Sequence, residues 1–414
     1  MKVLWLCNVV LPELADVFGF KKEKFGGWLT GAWKELNKVE NIELAVCVPV
    51  RNPERVHDGE YNAYKYYSFL TISNESDTDI NEQVIRFKEL LDDFNPDIIH
   101  IWGTEYEHSY SMTKAACEIG IADRIVVNIQ GLLTFCEKVF EYRIPETVAT
   151  EKINGKTIRE ERLSFLERSK YEQYVLTQVN QVIGRTDWDR ASTKEINPKL
   201  KYYYCGEILR DKFYLAQKWN SEKCQKHSIF ISQAFYPIKG FHLVLDEIKR
   251  LSIEYPDLMV YVAGPDVSKS DSGYANYIRQ RIDDLGIHSK IIFLGLISEE
   301  QIVEEYLRAN VFLSASVIEN SSNSVCEAMM IGTPVVSSYV GGMASLVSHG
   351  VSGYMYPLTE PSLMRHYIEK IFDGDINLSR LSQKEIESAN RFNNREDAVD
   401  RMISIYKEIA EEGE

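Results

Sequence analysis

The chain of 414 residues is longer than one hydrophobic core usually organises, so two domains are the first expectation. With 44% hydrophobic and 26% charged residues it has the composition of a globular protein and not of a disordered one. A formal net charge of −15 argues against nucleic acid as a partner and against general adhesion to anionic lipid, leaving membrane contact to a local basic patch.

The apolar start, Val3 to Leu11, is broken by Asn8 and followed by Pro12-Glu13 without a small-residue cleavage site. It reads as a buried first strand and not as a signal peptide. Short β-branched runs then recur at Leu44–Val48, Asp97–Ile101, Ile125–Ile129 and Val182–Gly184. A second series follows at Ile229–Ser232, Met259–Ala263, Ile291–Leu294, Val311–Leu313 and Pro334–Ser337. Runs of this kind suit strands buried on both faces of a parallel sheet. Helical stretches are predicted between them at Asn81–Phe94, Phe241–Tyr255, Asn276–Leu285 and Glu299–Ala309, with Ala398–Glu412 at the end. The alternation implies an α/β chain of two doubly wound domains, divided near residue 210 after the strand-like Tyr202–Tyr204. Ligands of such sheets bind at the carboxyl ends of the strands, so loops directly after strands are expected to carry the chemistry, in a central cleft. The seven scattered cysteines include no CxxC pair, which predicts reduced thiols and a cytoplasmic setting. No run of about 18 apolar residues is present to span a bilayer.

The most informative stretch runs from Phe312 to Ser337 and reads as strand, loop, short helix, turn, strand. N-cap residue types near Ser322–Ser324 open the helix, and Gly332 with Pro334 closes it. Glu319 then lies in the loop and Glu327 in the first turns of the helix, beside backbone N–H groups that form an anion site. Carboxylates next to an anion site make sense as acceptors of hydroxyl hydrogen bonds, which suits a nucleotide sugar. The competing explanation is a capping box, Ser324-x-x-Glu327, with Glu319 a solvated loop charge.

The flanks favour the first reading. Glu319 and Glu327 resemble the E-x7-E motif of retaining GT-B glycosyltransferases of the group four class. Gly332–Gly342 and Gly350–Tyr354 match that family's continuation, as do Pro96–His100, Lys239-Gly240, Ala263–Pro265 and Phe293–Gly295. The resemblance implies the GT-B fold, two Rossmann-like domains of about residues 1–210 and 211–394, with a C-terminal helix from about 395 to 414 crossing back to the first. It implies a nucleotide-sugar donor, with a UDP-sugar ahead of GDP-mannose, and a glycan or lipid-linked acceptor in bacterial surface polysaccharide synthesis. No cofactor and no metal is implied, because Asp77-Thr-Asp79 and Asp187-Trp-Asp189 are too short to carry a metal site. Under the resemblance Glu327 would hold ribose hydroxyls and Glu319 the transferred sugar, while Asn320, Ser321 and Ser322 approach sugar and diphosphate. Gly264, Leu296 and Ile297 would flank the base, and Lys239 would neutralise the departing diphosphate. Gly26 and Gly27, after the first strand, would allow close approach of backbone to phosphate or sugar, with Lys21, Lys22 and Lys24 in the same loop.

Three positions depart from the family. Gln233 stands where an arginine is usual, with Arg185 and Arg210 as candidate substitutes. Gln130 stands where a histidine is common; it can orient a hydroxyl but not act as a base at neutral pH, and His108 and Glu105 are the nearest candidates to touch an acceptor. Ser345 replaces an acidic residue after the Gly-Gly turn. A nucleotide-sugar epimerase and a sugar-binding subunit without activity are the alternatives on the same scaffold. A dinucleotide oxidoreductase is disfavoured, since the glycine fingerprint is absent.

Overall fold

The computed structural model describes residues 1–19, 27–62, 64–72, 77–153 and 155–412. They form two compact units. One comprises Met1–Thr134, Leu166–Arg210 and Asn394–Glu414, the other Phe135–Phe165 and Asp211–Asn393.

The first unit holds strands β1 (Lys2–Leu6), β2 (Glu43–Val50), β3 (Gly59–Tyr61), β4 (Tyr64–Leu70), β5 (Ile98–Trp102), β6 (Ile125–Asn128), β7 (Gln181–Gly184) and β8 (Lys201–Tyr204). Their order in the sheet is β3-β4-β2-β1-β5-β6-β7-β8. All neighbours are parallel except the antiparallel pair β3–β4. The aromatic segment Tyr64–Leu70 lacks the β-branched run that marks the other strands, and a sequence reading based on such runs passes over it. The second unit holds β9 (Ser228–Ile231), β10 (Met259–Ala263), β11 (Ile291–Gly295), β12 (Val311–Ser314), β13 (Val335–Ser338) and β14 (Tyr354–Tyr356). This sheet is parallel throughout, in the order β11-β10-β9-β12-β13-β14.

Each sheet grows outward from one strand in both directions. In the second unit the chain runs β9, β10, β11 to one side, then returns to lay β12 on the other side of β9. Right-handed crossovers then send helices to opposite faces, and the loops after β9 and β12 part at the switch point. In the first unit β1 has β2 and β5 as neighbours and plays the same part. Two Rossmann-like α/β units of the GT-B type result.

Residues 135–165 differ from the expected division, because they group with the second unit. Phe140, Ile144, Ala149 and Ile158 are buried in its hydrophobic cluster with Phe241, Val244 and Tyr274. His242 adds a hydrogen bond from its ring Nε2 to the Tyr142 carbonyl at 2.9 Å. The terminal helix Arg395–Glu412 packs in the first unit, with Met402, Ile405, Tyr406 and Ile409 in its cluster. Trp5 donates from Nε1 to Tyr406 Oη at 3.1 Å, and His100 Nδ1 lies 2.6 Å from the same oxygen. Burial holds the His100 imidazole down to about 3, so this network is neutral at physiological pH.

Candidate functional site

In the second unit the loops after β9 and β12 enclose a small cavity of about 40 Å³, lined by Ser232, Gln233, Lys239, Ser316, Glu319 and Ser324 among others. The local chain geometry follows from a few contacts. A single 3-10 turn, Pro237–Lys239, ends on Gly240 in the left-handed region, with φ 68°. A Cβ at Gly240 would lie 2.0 Å from the Ala315 carbonyl oxygen, so only glycine lets the two loops touch. Val317 N–H then donates to the Ile238 carbonyl at 2.7 Å and locks them together. Lys239 is thereby aimed at Glu319, with Nζ and Oε1 2.6 Å apart. Ser316 Oγ donates to the same oxygen at 2.7 Å. Behind it, Gly342 N–H donates to the Glu319 carbonyl at 2.9 Å, which ties the loop after β13 to this one. Ser345 sits in the short helix Met343–Leu346 that follows.

The helix Asn323–Ile331 starts from Ser322 as N-cap, and no side-chain hydrogen bond caps its first turn. Ser322 Oγ instead lies 3.1 Å from Ser324 Oγ. A capping box between Ser324 and Glu327 is therefore ruled out: the cap is two residues earlier. Glu327 is 8% exposed and accepts a hydrogen bond from the Tyr306 hydroxyl at 3.3 Å. The same hydroxyl lies 2.8 Å from the Ser324 carbonyl and shares its one proton between the two acceptors, so Tyr306 contacts both the helix start and the acid. Asn320 and Ser322 are buried beside the helix start, and Ser321 is half-buried.

The remaining residues expected around a donor also gather at this edge. Gly264 N–H donates to the Gly295 carbonyl at 3.0 Å, joining the loops after β10 and β11, and Leu296 and Ile297 follow at once. A Cβ on Gly264 would stand 3.3 Å from Gln233 Cγ, so Gln233 lies against it. Leu296 is 54% exposed, an apolar side chain open to a planar ligand.

Arg185 belongs to the first unit. Its guanidinium is buried in the first unit, ion-paired with Glu207 and donating to the Ile129 carbonyl at 3.1 Å. Removing a partner from a buried pair of this kind costs several kcal/mol, roughly 3–5, so Arg185 is held in the interior as a structural cation. Asp189 is likewise structural, completing a capping box with Thr186 and accepting from Arg185 N–H at 2.9 Å. No group of three or more His, Cys, Asp or Glu among the described residues is placed to hold a metal ion. No disulfide joins any of the seven cysteines.

At the switch point of the first unit, Glu105 follows β5 and Gln130 follows β6. The Glu105 carboxyl lies against Gly103, where φ is 96° and a Cβ would come within 2.1 Å of Oε2. That oxygen is buried without a hydrogen-bond partner. Burial, reinforced by the nearby Glu172 charge, pushes the Glu105 carboxyl up to about 7. Glu172 is itself buried, accepting from Thr104 Oγ1 at 3.1 Å and from the N–H groups of Leu133 and Thr134 at 2.8 and 2.9 Å. Gln130 donates to Asn128 Oδ1 at 2.8 Å. His108 is 3% exposed, with Nε2 3.1 Å from Asn8 Oδ1 and its ring stacked on Tyr106. Gly27 opens the helix Gly27–Leu36; Gly26, Lys21, Lys22 and Lys24 lie outside the described residues. Ser316, Tyr306, Asn8 and Glu172 escape the sequence reading. Only Ser316, three residues before Glu319, offers a local signal.

Residues 213–388 match the family described as glycosyl transferases group 1. The chain is a relative of that family. It is 28% identical over 114 residues to mannosylfructose-phosphate synthase of Agrobacterium fabrum, covering 27% of this chain and 25% of that protein. The chain spans between a quarter and about half the length of the curated relatives it matches. Its fold is similar to that of sucrose-phosphate synthase from Thermosynechococcus elongatus, with a TM-score of 0.73, 16% identity and 99% of both chains covered. It is also similar to HepE of Anabaena, solved with UDP and glucose, with a TM-score of 0.67, 14% identity and 99% and 100% covered. No helix among the described residues is long and apolar enough to cross a membrane.

Proposed function

We propose that the chain is a glycosyltransferase that moves a hexosyl group from a nucleotide sugar to a hydroxyl of a glycan or lipid-linked acceptor. The observation that carries this reading is the meeting of Lys239, Glu319 and the first turn of the helix that bears Glu327 at the switch point of the second sheet. Anion and hydroxyl recognition meet there, and a nucleotide sugar offers both. Kinship with the group 1 glycosyl transferases and a fold neighbour bound to UDP and glucose support it, with a UDP-sugar as the donor.

In this reading Glu327 accepts from the ribose hydroxyls and Glu319 from hydroxyls of the hexosyl group. Backbone N–H groups from Asn320 to Ser322 meet the diphosphate, and Gly264, Leu296 and Ile297 line the base. The bond from the anomeric carbon to the diphosphate breaks, and the electron pair leaves on the phosphate oxygen, beside Lys239 and the positive end of the helix. The acceptor oxygen closes the new bond from the same face, retaining configuration, and its proton passes to the departing phosphate. On the acceptor side Glu105 and Gln130 orient the incoming hydroxyl, with His108 positioning that loop from beneath. Catalysis is positioning and electrostatics.

A screen of nucleotide sugars, reading thermal stabilisation and slow donor hydrolysis, tests this reading. One donor should stabilise the protein and release its nucleoside diphosphate. Proton NMR of the transfer product should give the donor's own anomeric configuration; the inverted anomer would overturn retention. Donor binding without release of nucleotide across a panel of acceptors would point to a sugar-binding protein instead.

A further inference from the structure

We infer that the Lys239–Glu319 ion pair is an exchangeable latch that makes the site select intact nucleotide sugars over nucleoside diphosphates. This rests on the donor reading above. Lys239 is the only cation lining the described cavity, and the position where a second would help is the neutral Gln233. This ammonium is neutralised, at 2.6 Å, by Glu319, and the two side chains are 26% and 14% exposed. A diphosphate must therefore take Lys239 away from a carboxylate that Ser316 also binds, on a loop whose backbone Gly342 holds.

The consequence depends on what the ligand returns to Glu319. A nucleotide sugar supplies an anion to Lys239 and hydroxyl donors to Glu319, so both members of the pair are repaid. A bare nucleoside diphosphate supplies only the anion and leaves a half-buried carboxylate beside its own negative charge, which is costly. Glu319 thus competes with the product for Lys239. Once the hexosyl group has gone, the pair re-forms and the diphosphate is expelled. Glu319 determines specificity and sets product release, in addition to touching the sugar.

Calorimetric titration of the whole chain with uridine, guanosine and adenosine diphosphates, and with the matching hexose nucleotides, tests the latch in the wild type and in Glu319→Gln. The glutamine keeps hydrogen bonds to sugar hydroxyls but cannot neutralise Lys239. The diphosphate should bind the variant about tenfold more tightly, as expected for releasing one charge-assisted hydrogen bond. The nucleotide sugar should gain less or lose affinity, so the ratio of the two dissociation constants inverts or narrows. Equal tightening of both ligands, or weaker diphosphate binding in the variant, overturns the latch while leaving the donor reading intact. Ser316→Ala, which loosens Glu319 without removing charge, should shift the ratio in the same direction by a smaller factor. If no diphosphate and no nucleotide sugar binds either protein, the donor reading falls, and the latch with it.

Discussion

The two units present carboxylates at equivalent places, the switch point of a parallel sheet, and treat them in opposite ways. In the second unit Glu319 is paired with a cation and a hydroxyl at the cavity wall. In the first, Glu105 has one carboxyl oxygen buried without a partner and a second carboxylate, Glu172, close by. The first arrangement holds an acid in an ion pair that a ligand can exchange. The second holds a proton near neutral pH. One fold, used twice, holds an ion-paired acid in one unit and an acid raised by its burial in the other.

The sharpest way to break this contrast is Lys239→Ala. If the second unit's site works by neutralising a departing diphosphate, turnover should fall by about 10²–10³, the cost of losing one preorganised electrostatic contact. The fall should lie mainly in kcat, measured by nucleotide release at saturating donor. A loss confined to KM would mean that the lysine binds donor and transition state equally and has no part in departure. Glu327→Ala should follow, weakening donor binding about a hundredfold through two lost hydroxyl contacts to a carboxylate. Circular dichroism should show the fold intact, and unchanged affinity would sink the ribose assignment.

The second unit's candidate site could be read from the sequence because its parts lie close together in the chain. Glu319, Asn320–Ser322 and Glu327 occupy one loop and one helix, and the sequence signs of a cap and a stop mark that helix. The partners that fix those residues were not legible. Tyr306 reaches Glu327 from a different helix, across a distance in sequence that no local pattern spans. In the first unit the parts come from loops after β1, β5 and β6, and what distinguishes Glu105 is burial, which depends on how Gly103 and Glu172 pack. The glutamines at 130 and 233 were visible as departures, but whether Arg185 substitutes is a question of packing. Arg185 is paired with Glu207 inside the first unit. Residues 135–165 show the same limit, since a change of unit within a run of helices leaves no mark in composition.

The proton-sensitive half of the contrast can be tested through stability. A carboxyl raised from its ordinary value to about 7 favours folding while protonated, and that contribution is lost as pH rises between the unfolded value, near 4.5, and 7. Glu105→Gln cannot ionise. The variant should therefore gain stability relative to the wild type across that window, by roughly 3 kcal/mol, in denaturant melts at pH 4.5 and 7.5. Transfer activity in the wild type should rise through pH 7 if the carboxylate orients the acceptor hydroxyl, and the rise should vanish in the variant. Parallel pH curves for the two proteins would show that Glu105 is charged throughout, and the contrast between the units would disappear.

The smallest expected effect comes from restoring the missing cation. Gln233→Arg places a guanidinium against Gly264, at the mouth of the same cavity. If Lys239 is the lone cation and is held by Glu319, the new charge should strengthen nucleoside diphosphate binding severalfold, as one added charge-assisted contact at a partly screened site does. The gain should shrink between low and high salt, because the added charge is half-exposed. It should also slow turnover slightly wherever product release limits the rate, since a second cation holds the diphosphate after the sugar has left. No change in affinity would mean that the second unit already supplies a sufficient positive field through its backbone N–H groups. The helix start Ser322–Asn323, and not a pair of cations, would then carry the anion. That outcome would make the contrast between the units one of backbone against side chain, with Glu105 the only acid of the two whose charge the surrounding packing decides.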